Sequence, residues 1–167
     1  EMTTRTGKTA LILLILSLAC TPIATLSGYQ QVLRVRRALG MYAFLYASVH
    51  FAIFVLLDYG LDLELLWQAI IDQRYVLVGF TAGLILLPLA LTSTKGWQRR
   101  LGRNWKRLHT LVYVAGILAV VHFLWLVKDV RDPLRDAALL ALLLLLRIPR
   151  VRRAVRHLRQ GLRARLT

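Results

Sequence analysis

Five long apolar stretches dominate this sequence and restrict the kinds of fold it can adopt. They cover residues 9–26, 38–57, 75–91, 108–127 and 134–146. The first four approach the roughly 20 residues that a helix needs to cross a bilayer core, whereas the fifth needs flanking residues or local thinning of the bilayer. Because a lipid-exposed backbone must satisfy its own hydrogen bonds, we expect each stretch to be a helix. The sequence therefore predicts an all-α, polytopic membrane helix bundle of about five transmembrane helices.

The composition supports a membrane protein and excludes several other classes. Hydrophobic residues make up 57% of the 167 residues, although the formal net charge is +15. A nucleic-acid-binding domain of such charge would be polar over most of its length, so no nucleic-acid partner is expected. The apolar content excludes disorder, and the single cysteine, Cys20, excludes a disulfide scaffold.

Charged residues are sorted between alternate connecting segments. Residues 27–37, 92–107 and 147–167 carry most of the 23 Lys and Arg and none of the eight Asp and Glu. Because Lys and Arg accumulate on the cytoplasmic side, the N-terminus is predicted outside and the C-terminus inside. We expect two units: a membrane domain, residues 1–148, and a basic cytoplasmic tail, residues 149–167, that lies on anionic lipid.

Three of the four histidines lie within or at the edge of predicted spans. An ionisable group at such a position is by default a functional-site hypothesis, and the alternative is a structural hydrogen bond to a neighbouring helix. His50 lies 13 residues after Arg37, and His122 lies 15 residues after Arg107. At the rise of an α-helix, both are roughly 20 Å from the cytoplasmic side. His109 is only about 3 Å in by the same measure.

Two imidazoles at one level on two parallel helices suit a haem held between the second and fourth spans. His50 and His122 would be its axial ligands. Zinc fits less well, because a structural site needs four ligands, usually including cysteine. The sequence has no Cys-x-x-Cys-His motif, so any haem is non-covalent and b-type.

One geometric condition applies to span four. His109 and His122 are 13 residues apart, which is about 220° beyond whole turns of an ideal helix. Either their cofactors lie on different sides, or the span is irregular.

Trp97, Trp105 and Trp125 are interpreted as interfacial anchors, and Thr92 and Thr94 as packing or capping groups. We see no repeat of fixed period.

Two runs resemble a known family: "RVRRALGMYAFLYASVH" and "LTSTKGWQRRLGRNWKRLHTLVYVAGILAVVHFLWLVK". They are similar to the MsrQ (YedZ) haem-binding membrane subunits, which belong to the ferric-reductase-like transmembrane superfamily. The similarity extends from about Thr6 to Arg147. It implies that haem b carries electrons across the bacterial inner membrane to MsrP, a periplasmic molybdenum enzyme that reduces oxidised methionines. It also implies the quinone pool or a cytosolic flavin reductase as the donor, with FMN as an associated cofactor.

The sequence departs from the superfamily pattern in two places. Members with two bis-histidine haems carry two histidines 13 or 14 residues apart on each of two helices. Span four has both, His109 and His122, but span two has His50 with Arg37 at the earlier position. The resemblance thus implies either one haem, or two with His109 ligating the inner iron, whereas Arg37 could neutralise a propionate. Typical members also have a further helix before "TGKTAL", so we expect either a fragment or a member that lacks this helix.

The sequence leaves three functions open. The leading interpretation is an electron-transfer subunit whose partner carries out the substrate reduction. The alternatives are a stand-alone cytochrome b that reduces ferric or other metal ions, and a non-redox membrane scaffold whose histidines are only hydrogen-bonded.

Overall fold

The chain is mainly helical in the part that the structure describes, and that part contains no strands. The computed structural model describes residues 2–148 and residue 151. A π-helical segment, Phe54–Asp58, prolongs the second helix. In chain order the helices are α1 (Met2–Ser27), α2 (Val32–Ile53), α3 (Leu63–Asp72), α4 (Arg74–Leu91), α5 (Lys95–Leu101), α6 (Arg103–His109), α7 (Leu111–Leu126) and α8 (Arg131–Leu145).

Four helical segments are long and apolar enough to cross a membrane: Met2–Ser27, Val32–Asp58, Arg74–Leu91 and Arg103–Leu126. They coincide with the first four predicted stretches, and the all-α membrane bundle is confirmed. The fifth stretch is also helical, but α8 has 15 residues, fewer than the roughly 20 of a full crossing. The predicted basic tail, residues 149–167, lies outside the described residues except for residue 151.

The bundle is built from two helix hairpins. The most extensive packing is between α1 and α2, followed by α4 against α7. Side chains cap two of the short connecting helices: Asp62 accepts hydrogen bonds at the start of α3, and Thr94 accepts one from the Trp97 N–H at the start of α5. The predicted capping role of Thr94 is therefore confirmed.

A buried apolar cluster joins α1, α7 and α8. Its members are Leu11, Ile15, Leu18, Val120, Phe123 and Leu140. Many large apolar side chains on the outer faces of the same bundle remain exposed, for example Leu45, Leu84 and Ile117. Such extensive apolar exposure is unusual for a protein in water, and it fits helices whose outer faces contact lipid.

A proline in α1 explains how α8 is attached to the bundle. Pro22 has no N–H, so the carbonyl of Leu18, four residues earlier, lacks its helical donor. The Nη2 of Arg147, just after α8, donates to that carbonyl at 2.7 Å, and its Nη1 donates to the Tyr113 hydroxyl. One guanidinium therefore links α1, α7 and the end of α8.

A second polar contact fixes the other end of α8. The Lys8 ammonium on α1 donates to the Asp132 carboxylate in the first turn of α8. This hydrogen bond holds the pKa of the Asp132 carboxyl below its usual value. Polar side chains thus attach α8 to α1 at both of its ends.

The replacement of the missing helical donor can be tested with a double-mutant cycle. We expect Arg147→Ala to lower the free energy of unfolding by about 1–3 kcal/mol, because the buried Leu18 carbonyl loses its donor. In a Pro22→Ala background residue 22 again carries an N–H, so the same substitution should cost less. Thermal unfolding of the four proteins in detergent measures the difference.

The exposed Arg135, which lies on α8 itself, provides the matched control, since Arg135→Ala should cost the same in both backgrounds. An equal loss for Arg147→Ala with and without Pro22 would contradict the assigned contact.

Candidate functional site

His50 of α2 and His122 of α7 lie side by side in the structure. Their ring centroids are 6.1 Å apart, and the ring planes meet at 77°. Two metal–nitrogen bonds of about 2 Å each, together with the ring radii, give a centroid separation of roughly 6 Å. The spacing therefore suits two imidazoles that bind one metal centre from opposite sides.

Each of these histidines uses its Nδ1 in a backbone contact. The Nδ1 of His50 is 2.8 Å from the carbonyl oxygen of Thr3 in α1, and the Nδ1 of His122 is 2.6 Å from that of Tyr75 in α4. Because a carbonyl oxygen can only accept, each Nδ1 carries the proton and each Nε2 carries the lone pair. Metal-bound histidines typically show this arrangement.

Two glycines lie against the two rings. Gly7 is four residues after Thr3 and faces His50, and Gly79 is four residues after Tyr75 and faces His122. Sequence reasoning singled out neither glycine. The signal that could have found them is their equal distance in sequence from the two histidines.

An aromatic ring lies beside His122, and a phenylalanine pair and an irregular helical turn follow close after His50 in sequence or contact. Phe51 is 5.8 Å from Phe80, and the Tyr75 ring is 6.1 Å from His122, measured between centroids. The π-helical segment Phe54–Asp58 begins four residues after His50, and such turns are frequent at functional sites. Among the described residues, no three His, Cys, Asp or Glu side chains are grouped so that they could hold a metal ion by themselves.

Span four is irregular where His109 lies. α6 ends at His109 and α7 begins at Leu111, and between them the Thr110 N–H donates to the carbonyl of Arg107. This bond spans three residues instead of four, so the helix tightens locally. Of the two alternatives that the 13-residue spacing left open, the structure shows the irregular span.

The His109 ring is held by Thr92 and Trp105. Trp105 stacks on it with a centroid distance of 4.1 Å, and the Nε2 of His109 is 3.1 Å from the Thr92 hydroxyl oxygen. That hydroxyl donates its own proton to the Pro88 carbonyl, so His109 is the donor and keeps its lone pair on Nδ1. Trp105, interpreted from sequence as an anchor, also donates to the Thr92 carbonyl and belongs to the surroundings of His109.

Arg37 and His109 line one cavity of about 90 Å³ between the helices. Arg36 and Ser17 also line it, and the Ser17 hydroxyl donates to the Arg36 carbonyl at 2.9 Å. Gly40 forms part of the wall, where a Cβ would lie 3.4 Å from the Ser17 oxygen. The structure thus brings Arg37 and His109 together at one cavity. Two guanidinium groups and an imidazole there suit an acidic group such as a carboxylate or phosphate.

The chain matches a known membrane protein family over most of its length. Residues 6–120 match the family described as ferric reductase like transmembrane component. No solved structure matches the chain significantly.

Curated relatives carry one common name, protein-methionine-sulfoxide reductase heme-binding subunit MsrQ. The relative from Xanthomonas euvesicatoria pv. vesicatoria is 52% identical over 145 residues, which cover 86% of this chain and 66% of the relative. The relative from Rhodospirillum rubrum is 44% identical over 154 residues, which cover 90% of this chain and 74% of the relative. The chain therefore belongs to the ferric reductase like transmembrane component family and, within it, to the MsrQ group.

Proposed function

We propose that this protein is a haem b electron-transfer subunit of a membrane oxidoreductase system, with His50 and His122 as the axial ligands of one haem. The observation that carries the proposal is the 6.1 Å separation of the two rings. The relatives named as heme-binding subunits support it.

The residues around the pair fit a bound haem. Both Nδ1–H groups are already used by the carbonyls of Thr3 and Tyr75, so the Nε2 lone pairs remain for the iron. A bound haem supplies one-electron redox chemistry. The protein supplies the two ligands and holds the orientation of their rings through those carbonyls. Its apolar helices keep water from the site.

The fit is less complete at the inner cavity. Among the described residues that line it, His109 is the single histidine, and its Nε2 is bonded to Thr92. A second haem with His109 on its iron and Arg37 on a propionate is the alternative to a single haem. It requires either rupture of the Thr92 bond or ligation through Nδ1.

We place the protein in a bacterial inner membrane with the N-terminus outside and the C-terminus in the cytoplasm. Most Lys and Arg residues are segregated into residues 27–37, 92–107 and 147–167, which supports this orientation. In this orientation the His50–His122 pair lies toward the periplasm. The cavity with Arg36, Arg37 and His109 lies toward the cytoplasm.

The proposed electron route combines this orientation with what the resemblance to MsrQ subunits implies. Electrons enter on the cytoplasmic side from the quinone pool or a cytosolic flavin reductase, with FMN as a carrier. They leave to an MsrP-like periplasmic molybdoenzyme, which reduces methionine sulfoxide in oxidised periplasmic proteins. The name of the relatives supports the partner. The basic inner segments would attract an acidic donor or a flavin phosphate.

Substitution of each histidine tests the haem assignment. His50→Ala or His122→Ala should abolish the low-spin haem spectrum of the purified protein, because either change removes an axial ligand. His157→Ala, in the basic tail outside the described residues, should leave the spectrum unchanged. A normal low-spin spectrum in either of the first two variants would refute the ligand pair. The absence of any haem spectrum from protein purified from haem-supplemented cells would favour the scaffold.

The haem-to-protein ratio decides between one haem and two. With one haem, His109→Ala leaves the ratio near that of the unmodified protein, since His109 ligates no iron. With two haems, the ratio begins near two and falls on this substitution. The pyridine haemochrome assay and an independent protein determination measure both values.

A reoxidation experiment distinguishes the partner from a free metal ion. The reduced protein should be reoxidised faster by an MsrP-like molybdoenzyme supplied with methionine sulfoxide than by ferric citrate. Stopped-flow absorption of the haem follows both reactions. Reoxidation by ferric citrate alone would identify a stand-alone metal reductase.

A further inference from the structure

One three-part contact occurs twice, once in each helix hairpin. It consists of a backbone carbonyl, a glycine four residues later on the same helix, and the ring of a histidine on the partner helix. In both hairpins the histidine follows the carbonyl residue by 47 residues. The two sets are Thr3, Gly7 and His50, and Tyr75, Gly79 and His122. The equal spacing indicates that this contact is a shared structural feature of both hairpins and is not specific to one helix pair.

Helix geometry explains why glycine occupies this position. The Cα–Cβ bond of a helical residue leans toward the N-terminus and covers the preceding turn. The N–H of that residue also bonds the carbonyl four residues earlier. A side chain at this position therefore lies beside the second lone pair of the same carbonyl. Glycine leaves that lone pair open to an imidazole N–H from another helix.

The distances show that a methyl group at Gly79 would force the histidine ring to move, and that one at Gly7 would be tight. A Cβ on Gly79 would lie 2.6 Å from Nδ1 and 2.8 Å from Cε1 of His122. A Cβ on Gly7 would lie 3.0 Å and 3.1 Å from the same atoms of His50. Favourable contacts between such atoms are at roughly 3.5 Å or more, so the ring would have to move away from its carbonyl.

We propose that Gly7 and Gly79 are positioning residues for the two haem ligands. Each glycine lets the Nδ1–H of its histidine reach the carbonyl, and this contact fixes the tautomer and the ring orientation that present Nε2 to the iron. The inference rests on the proposed bis-histidine haem. A ring bound to iron cannot move aside as a free side chain can, so an added methyl group affects ligation directly.

Helix packing alone does not account for these two glycines. Small residues in membrane helices often allow two backbones to approach, and in that case the nearest atoms belong to backbone or apolar side chains. At Gly116 the nearest atoms are methyl carbons of Leu140 and Leu18 at 3.6 Å, and at Gly83 nothing lies within 4 Å. Gly83 is on α4, one turn after Gly79, and is therefore the matched control.

The test uses the haem-loaded protein and the variants Gly79→Ala, Gly7→Ala and Gly83→Ala. We expect Gly79→Ala to weaken haem binding by roughly 10- to 100-fold, as loss of a ligand's supporting hydrogen bond does at metal sites. Its low-spin signal in electron paramagnetic resonance should be lost, and added imidazole should restore it by replacing the displaced ring. Gly7→Ala should act in the same direction and more weakly, whereas Gly83→Ala should match the unmodified protein.

Gel filtration and circular dichroism establish whether each variant is folded. If Gly79→Ala does not fold, Gly7→Ala can still be compared with Gly83→Ala, because the contact at Gly7 is longer and the added methyl group disturbs the fold less. The inference would be overturned if the folded Gly79→Ala and Gly7→Ala variants had the haem affinity and the low-spin signal of Gly83→Ala. It would also be overturned if their low-spin signal were lost and added imidazole did not restore it.

The same samples separate this inference from the proposed function. An unmodified protein without low-spin haem, or an intact signal in His50→Ala, refutes the proposed function. If both of those controls behave as expected and the glycine variants match Gly83→Ala, only the positioning role fails.

Discussion

The fold depends on the rule that polar groups between apolar helices must find partners within the protein. The carbonyls of Thr3 and Tyr75 each accept an imidazole N–H, and the carbonyl of Leu18 accepts a guanidinium N–H. In each case the acceptor is a helical carbonyl that a special residue leaves accessible. Glycine opens the first two and proline the third. Backbone carbonyls of the helices therefore serve as the acceptors of the tertiary contacts that hold the site.

The two hairpins are alike at one level and different at the other. At the level of His50 and His122 the carbonyl, glycine and histidine recur with the same spacing. Thirteen residues earlier, α2 carries Arg37 where α6 carries His109. Both residues line the same cavity. They therefore occupy equivalent positions in the two hairpins but differ in the chemistry of their side chains. A symmetric scaffold thus provides one symmetric pair of imidazoles and one unlike pair, a guanidinium and an imidazole.

Much of this arrangement can be predicted from sequence, because it depends on distance along single helices. Hydropathy locates the four long spans, and the rise per residue puts His50 and His122 at one depth. Contacts that depend on which helices pair cannot be read this way. The glycine contacts, the Thr92–His109 bond and the bond from the Trp105 indole to the Thr92 carbonyl all join different elements. The break at Thr110 turns His109 relative to α7, and no residue type in that run is a helix breaker. Hydropathy also predicts that the fifth stretch is short for a span, but it does not reveal the contacts with Lys8 and Arg147 that attach α8 to the bundle.

The proline in α1 has a consequence for the order of assembly. The Leu18 carbonyl is synthesised 129 residues before the arginine that satisfies it. During translation α1 enters the bilayer with an open acceptor on its flank, and this acceptor closes only when the end of α8 has emerged. Helix α1 is therefore the first to be made but reaches its final hydrogen-bonding state only after residue 147 has been added. Ribosomal pausing before that residue would expose an incomplete helix to the insertion and quality-control machinery.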